Sequence, residues 1–252
     1  MRRLLKSAVI VALVVPVAAL ATIRNSRHDL SVGSTVVGIK AAAGGTDQIC
    51  IFCHTPHNAR AQLLLWNQAN SGNATSGWSA PNNVTTANTT LPADLNAVSK
   101  RCLGCHDGSV AIGNLNNAGG GVAGQVTLTD PRTPSHITAN VLNASAGGNL
   151  VGFGGNMVNN HPASVPYPGQ PGSGYTTLPT TYHATTAAGC TGGATNCVNG
   201  GAAGLAMKLF TNAGALTVEC ATCHDVHNDQ NLTFLLRTTN TNSALCLGCH
   251  VK

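Results

Sequence analysis

The five-residue pattern Cys-x-x-Cys-His occurs four times in this chain of 252 residues. The copies are Cys50-Ile-Phe-Cys53-His54, Cys102-Leu-Gly-Cys105-His106, Cys220-Ala-Thr-Cys223-His224 and Cys246-Leu-Gly-Cys249-His250. No other feature constrains the fold as strongly. Cys-x-x-Cys-His is the attachment pattern of c-type haem. Two thiols must add to the two vinyl groups on one porphyrin edge, and the adjacent histidine must reach the iron on one face. A single helical turn carrying Cys, Cys and His meets both demands. Zinc ribbons also pair Cys-x-x-Cys units, but they need no histidine after each pair. A thioredoxin-like dithiol occurs once, in a βαβ setting that is absent here. The pattern therefore implies four haem c groups. Cys50, Cys53, Cys102, Cys105, Cys220, Cys223, Cys246 and Cys249 would hold them, with His54, His106, His224 and His250 as proximal iron ligands.

The compartment must be one where haem is attached outside the cytoplasm, and the start of the chain agrees. Residues 1–21 read MRRLLKSAVIVALVVPVAALA. Arg2, Arg3 and Lys6 precede an apolar run that ends at Ala19-Leu20-Ala21, the layout of a cleavable signal peptide. The competing reading is a retained anchor, although the run is short for a bilayer span. Residues 22–252 then form the mature chain. Losing three basic residues takes the formal charge from +5 to +2. That is no basic footprint, so no nucleic-acid partner is expected. Idle cysteine pairs in such a compartment would oxidise. Cys190 and Cys197, in CTGGATNC, lack the motif and are expected to close a small disulfide loop. A haem pair with a longer spacer is rejected there, because Val198 follows Cys197.

Charged residues make up 8% of the chain and aromatic residues 4%, so little bulk is available for an ordinary core. Gly, Asn, Thr and Ser dominate, and without help such a chain would tend to disorder. The predicted fold is one domain, mostly irregular, with short helices and few strands, wrapped around a row of four haems. Leu63, Leu64, Leu65, Trp66 and Leu235 would pack on the porphyrins or, in the plainer alternative, on one another. Short helices are expected near 49–55, 92–106, 201–210, 218–225 and 242–250. Strands are expected near 124–129 and 232–236. The stretch from 107 to 219 is turn-rich.

Each haem iron has a second axial position, which either takes another ligand or stays open for chemistry. Six histidines remain beyond the proximal four: His28, His57, His136, His161, His183 and His227. His57 and His227 each follow a proximal histidine by one helical turn, so each stays on its own haem's side. Both are suited to the iron of a neighbouring haem; the plainer reading is a solvent-exposed side chain. The supply of distal histidines exceeds demand, which argues against a reductase with an open iron.

The stretches CIFCHTPHN, CLGCHDGSVAIG, NNHPASVPY, VECATCHDVHN and LCLGCHVK resemble segments of exported multihaem c-type cytochromes of electroactive, metal-reducing bacteria. In particular they resemble the tetrahaem outer-surface cytochromes that polymerise into conductive filaments, the OmcE type. The resemblance runs from RHDLS at 27–31 to the C-terminus. It implies that His28 and His161 are distal ligands beside His57 and His227, leaving His136 and His183 unassigned. It also implies bis-histidine electron transfer in a filament. The partners would be copies of the chain itself, upstream periplasmic or outer-membrane cytochromes, and an extracellular electron acceptor. A location outside the cell or on its surface follows, with a soluble periplasmic shuttle as the alternative. A flexible N-terminal arm would let His28 serve a haem of the next subunit.

Overall fold

The computed structural model describes residues 23–57, 59, 63–71, 95–118, 124–145, 150–155, 163–170, 182–186, 197–198, 207–227 and 232–251. Residues 1–21, His161 and Cys190, all singled out in the sequence, lie outside the described residues.

Helix is scarce and short. In α1, Ala97–His106, the helix is opened by Asn96, whose Oδ1 accepts the Val98 N–H at 2.9 Å. It carries the second motif at its C-terminal end. Helix α2, Cys220–Cys223, and helix α3, Ala244–Leu247, hold parts of the third and fourth motifs. The first motif begins as a 3₁₀ turn, Cys50–Phe52. The first expected helix is thus shorter and tighter than predicted, and the second begins at Ala97.

Strands are more numerous than expected, and each is brief. In chain order they are β1 Lys40–Ala41, β2 Asn114–Leu115, β3 Gly124–Gln125, β4 Leu128–Thr129, β5 Ile137–Thr138 and β6 Val141–Leu142. They continue as β7 Val165–Pro166, β8 Thr185–Thr186, β9 Cys197–Val198, β10 Met207–Lys208, β11 Phe210–Asn212 and β12 Ala215–Val218. All pairings are antiparallel: β1 with β4, β2 with β3, β5 with β6, and two three-stranded sheets, β8–β9–β10 and β7–β12–β11.

Two expectations are corrected. The helix expected over 201–210 is strand over Met207–Lys208 and from Phe210, because Met207 and Leu209 alternate inward with Lys208 and Phe210. The strand expected over 232–236 is a 3₁₀ turn, Thr233–Leu235, with φ of 61° at Phe234 and 55° at Leu235.

Among the described residues, the buried apolar side chains form three small clusters, and each touches motif cysteines. Ile51, Phe52, Leu115, Leu128 and Leu142 pack with Cys53 and Cys105. Leu95, Leu103 and Ala163 pack with Cys220. Tyr167, Val198, Met207 and Leu209 pack with Cys223 and Cys249. Cys197 is fully buried on β9 and engaged in a disulfide.

One buried carboxylate ties distant segments together. Glu219 accepts hydrogen bonds from Ser99 of α1 (2.5 Å), Ser164 (3.0 Å) and Thr217 of β12 (2.6 Å). Its own N–H donates to the Thr222 hydroxyl at 2.9 Å, capping α2. Burial raises the Glu219 pKa, against the lowering effect of the three hydroxyls.

Candidate haem-binding site

Each motif closes one turn of backbone. The N–H groups of His54, His224 and His250 donate to the carbonyls of Cys50, Cys220 and Cys246 at 2.7, 3.0 and 3.0 Å. A hydrogen bond between residues four apart gathers two cysteines and the histidine on one side of the turn. None of the eight motif cysteines is paired in a disulfide. Burial, as the largest cause, pushes the second cysteine of each motif up: Cys53 and Cys223 to about 11, Cys105 and Cys249 to about 12.

Three of the four motif histidines are covered in the same way. His54 bridges Trp66, His224 bridges Leu236, and His250 bridges Tyr182, all antiparallel. In each case the next residue donates its N–H to the carbonyl of the motif's second cysteine: Asn67 to Cys53, Arg237 to Cys223 and His183 to Cys249, each at 2.9 Å. The first and third motifs share finer detail. His54 Nδ1 lies 2.7 Å from the Leu64 carbonyl, and His224 Nδ1 lies 2.9 Å from the Phe234 carbonyl. Asn67 Nδ2 donates to Ile51 O at 2.6 Å, and Arg237 Nε donates to Ala221 O at 2.8 Å. Leu64 and Leu65 take left-handed φ values of 73° and 53°, as Phe234 and Leu235 do. The described residues 50–57 with 63–68, and 220–227 with 232–238, are therefore two copies of one structural unit.

In the sequence this repeat was recognised only in the common spacing of His57 and His227. The signal missed there is the apolar run at matching positions, Leu63-Leu-Leu-Trp and Thr233-Phe-Leu-Leu. The second motif is built differently. His106 ends α1, and its carbonyl accepts the Val151 N–H at 3.0 Å.

The expected histidines are distributed unevenly. His227 faces His54 with ring centroids 6.3 Å apart and planes 22° apart. His28 faces His106 at 6.0 Å and 46°. His57 is exposed, and its carbonyl accepts from Thr55 Oγ1 and Asn117 Nδ2. The free arm expected for His28 is not how the chain folds. The segment turns back onto its own α1, where burial, then the His106 and His224 imidazoles, pull its pKa down to about 4. His136 Nδ1 is 2.9 Å from the buried Asp130 carboxylate.

The residues fit a haem. A carbonyl at Nδ1 fixes that nitrogen as the protonated one and leaves the Nε2 lone pair for a metal. Two imidazoles on one metal, each bound through nitrogen at about 2 Å, have ring centroids about 6 Å apart. The His54–His227 and His28–His106 separations match that value. Leu64 (65% exposed), Leu65 and Phe234 (77% exposed) stand beside His54 and His224 as an apolar surface suited to a flat macrocycle. Among the described residues, no three His, Cys, Asp or Glu side chains gather to hold a bare metal ion.

Successive motifs also touch. Cys53 and Cys105 share one cluster, the Cys102 and Cys220 side chains adjoin where Leu103 and Ser99 of α1 meet Cys220, and Cys223 and Cys249 share another cluster.

Residues 214–252 match the family described as the doubled CXXCH motif. The match spans the third and fourth motifs and points to covalently bound haem c and to a multihaem c-type cytochrome. No curated protein matches the chain.

Proposed function

We propose that this chain is an electron-transfer protein with four covalently bound, bis-histidine haem c groups, acting as the subunit of an extracellular conductive filament. The observation that carries this reading is the contact between successive motifs, from Cys53 with Cys105, through Cys102 with Cys220, to Cys223 with Cys249. It supports a continuous row in chain order. Each haem, when bound, supplies one iron that gains and loses a single electron. The protein's part is to hold both axial imidazoles in place, so that little reorganises when the charge changes. His54 with His227, and His106 with His28, would hold two of the irons. His57 and His161 would complete His224 and His250. A Cys190–Cys197 disulfide would brace the sheet beside the fourth motif.

The filament reading rests on the sequence resemblance, on the signal-peptide layout of residues 1–21 and on a charge density too low to keep copies apart. Upstream exported cytochromes would deliver electrons, and an extracellular acceptor would receive them.

The test combines haem counting with spin state. Purified protein should carry four haems with only low-spin spectra. His227→Ala should keep the same haem count while one iron becomes high-spin and binds carbon monoxide. A fully low-spin His227→Ala protein refutes the His54–His227 assignment. Haem-stained fibres in the extracellular fraction support the filament, whereas periplasmic monomers would leave a soluble carrier in its place.

A further inference from the structure

Among the described residues, Arg101 has no counter-charge. It sits in α1 immediately before Cys102 and one helical turn before Cys105, and it is only 8% exposed. Its Nε is buried and has no hydrogen-bond partner. The ion pairs among the described residues lie elsewhere, on Asp130. The buried carboxylate Glu219 is already engaged by Ser99, Ser164 and Thr217. An arginine stays charged in a protein, and a buried guanidinium N–H left without an acceptor is unfavourable. Its planar fork of N–H donors matches a carboxylate in two parallel hydrogen bonds.

Residues 101 and 105, four apart, lie on one face of α1, and Cys105 packs into the cluster that also receives Cys53. The haems expected there carry two propionate carboxylates each. Those of a haem attached at Cys102 and Cys105 would lie at the edge opposite its thioethers, away from Arg101. A haem of an adjacent motif has no such restriction.

We propose that Arg101 binds a propionate carboxylate of a haem attached at a motif other than its own, an assignment that rests on the haem reading above. Arg101 thereby anchors one haem to the helix that carries another. It also sets that haem's potential, because a fixed positive charge beside a carboxylate offsets the negative charge that would otherwise favour the oxidised iron.

The test uses the full haem-loaded protein and the variants Arg101→Gln and Arg101→Lys. Haem content is measured first. Wild-type protein lacking haem overturns the underlying reading, independently of Arg101. With haem in place, Arg101→Gln should keep the wild-type count but lower the potential of one haem. That potential should also become pH-dependent near neutrality, as the released carboxylate titrates. Redox-difference infrared spectra with labelled haem carboxylates should show one band shifted in Arg101→Gln. Arg101→Lys keeps the charge but not the fork, so its potential should stay close to wild type while the same band moves. If Arg101→Gln does not accumulate, the Arg101→Lys band alone decides. Unshifted carboxylate bands overturn the proposal. So does a wild-type potential that responds to added inorganic phosphate, which would identify an exchangeable anion in place of a propionate.

Discussion

Asn67 offers the sharpest test of how the first motif is held. The residue is fully buried. Its Nδ2 donates to Ile51 O at 2.6 Å and to Asn117 O at 2.8 Å, and its Oδ1 accepts the Asn117 N–H at 2.8 Å. Asn67→Ala removes all three bonds and leaves three backbone groups buried without partners. Each bond contributes about 1 kcal/mol net, and each orphaned buried group costs about 1–3 kcal/mol. Allowing for relaxation, the expected loss is about 3 kcal/mol. Asn67→Asp changes almost no volume, but it turns a double donor into an acceptor facing two carbonyls. It should destabilise at least as much at neutral pH, and its deficit should shrink as pH falls and the carboxyl protonates. Urea unfolding followed by circular dichroism reads both as shifts of the midpoint at unchanged slope. Midpoints within about 0.5 kcal/mol of wild type for both variants would refute the claim that this side chain fixes the motif.

Gly104 and Gly248 occupy the same place in their motifs but face different neighbours. A Cβ at Gly104 would meet the Ala69 carbonyl oxygen at 2.8 Å, whereas at Gly248 it would meet Met207 Cγ at 2.9 Å. Gly104→Ala should cost about 1–3 kcal/mol, and Gly248→Ala less, because a methionine side chain can swing aside where backbone cannot; thermal midpoints compare them. Asp130 is held at a pKa of about 2, against an ordinary 3.8. Burial pushes it up, but hydrogen bonds from Arg132 and His136 outweigh that. Its ionised form therefore stabilises the fold by at most about 2 kcal/mol above pH 4, a contribution lost as pH falls from there through 2. Asp130→Asn should flatten the pH dependence of the melting temperature over that window, and an unchanged slope refutes the pairing.

What was legible in the sequence was chemistry at fixed spacing. Four Cys-x-x-Cys-His copies, and the likeness of His57 to His227, needed no tertiary information. The alternation of Met207 and Leu209 with their neighbours was also present, although a helix was expected over 201–210. The covering turns were not legible. Leucine and phenylalanine seldom take positive φ, so nothing in Leu64-Leu65 or Phe234-Leu235 announces a left-handed turn. In that turn the Leu64 and Phe234 carbonyls meet the motif histidines while the Leu65 and Leu235 carbonyls accept the Thr55 and Asp225 N–H groups, an outcome settled by packing. Nothing in the sequence marks Arg101 or Glu219 as buried charges. His28 was read as a mobile arm because nothing in RHDLS reveals that Asp29 locks the segment, accepting from Asn25 N at 2.7 Å and Ser31 Oγ at 2.6 Å.

Glu219 has a consequence for how the molecule comes apart. Its hydroxyl partners come from α1 in the first half and from β12 in the second, and Ser99 in turn accepts the Cys220 N–H at 3.2 Å. Segments each with its own small cluster would by themselves melt independently, as beads on a string. A shared buried carboxylate removes that freedom here, since neither α1 nor the unit around the third motif can open without stripping the other of a hydrogen-bonded acid. The second and third motifs are thereby bound into a single cooperative transition.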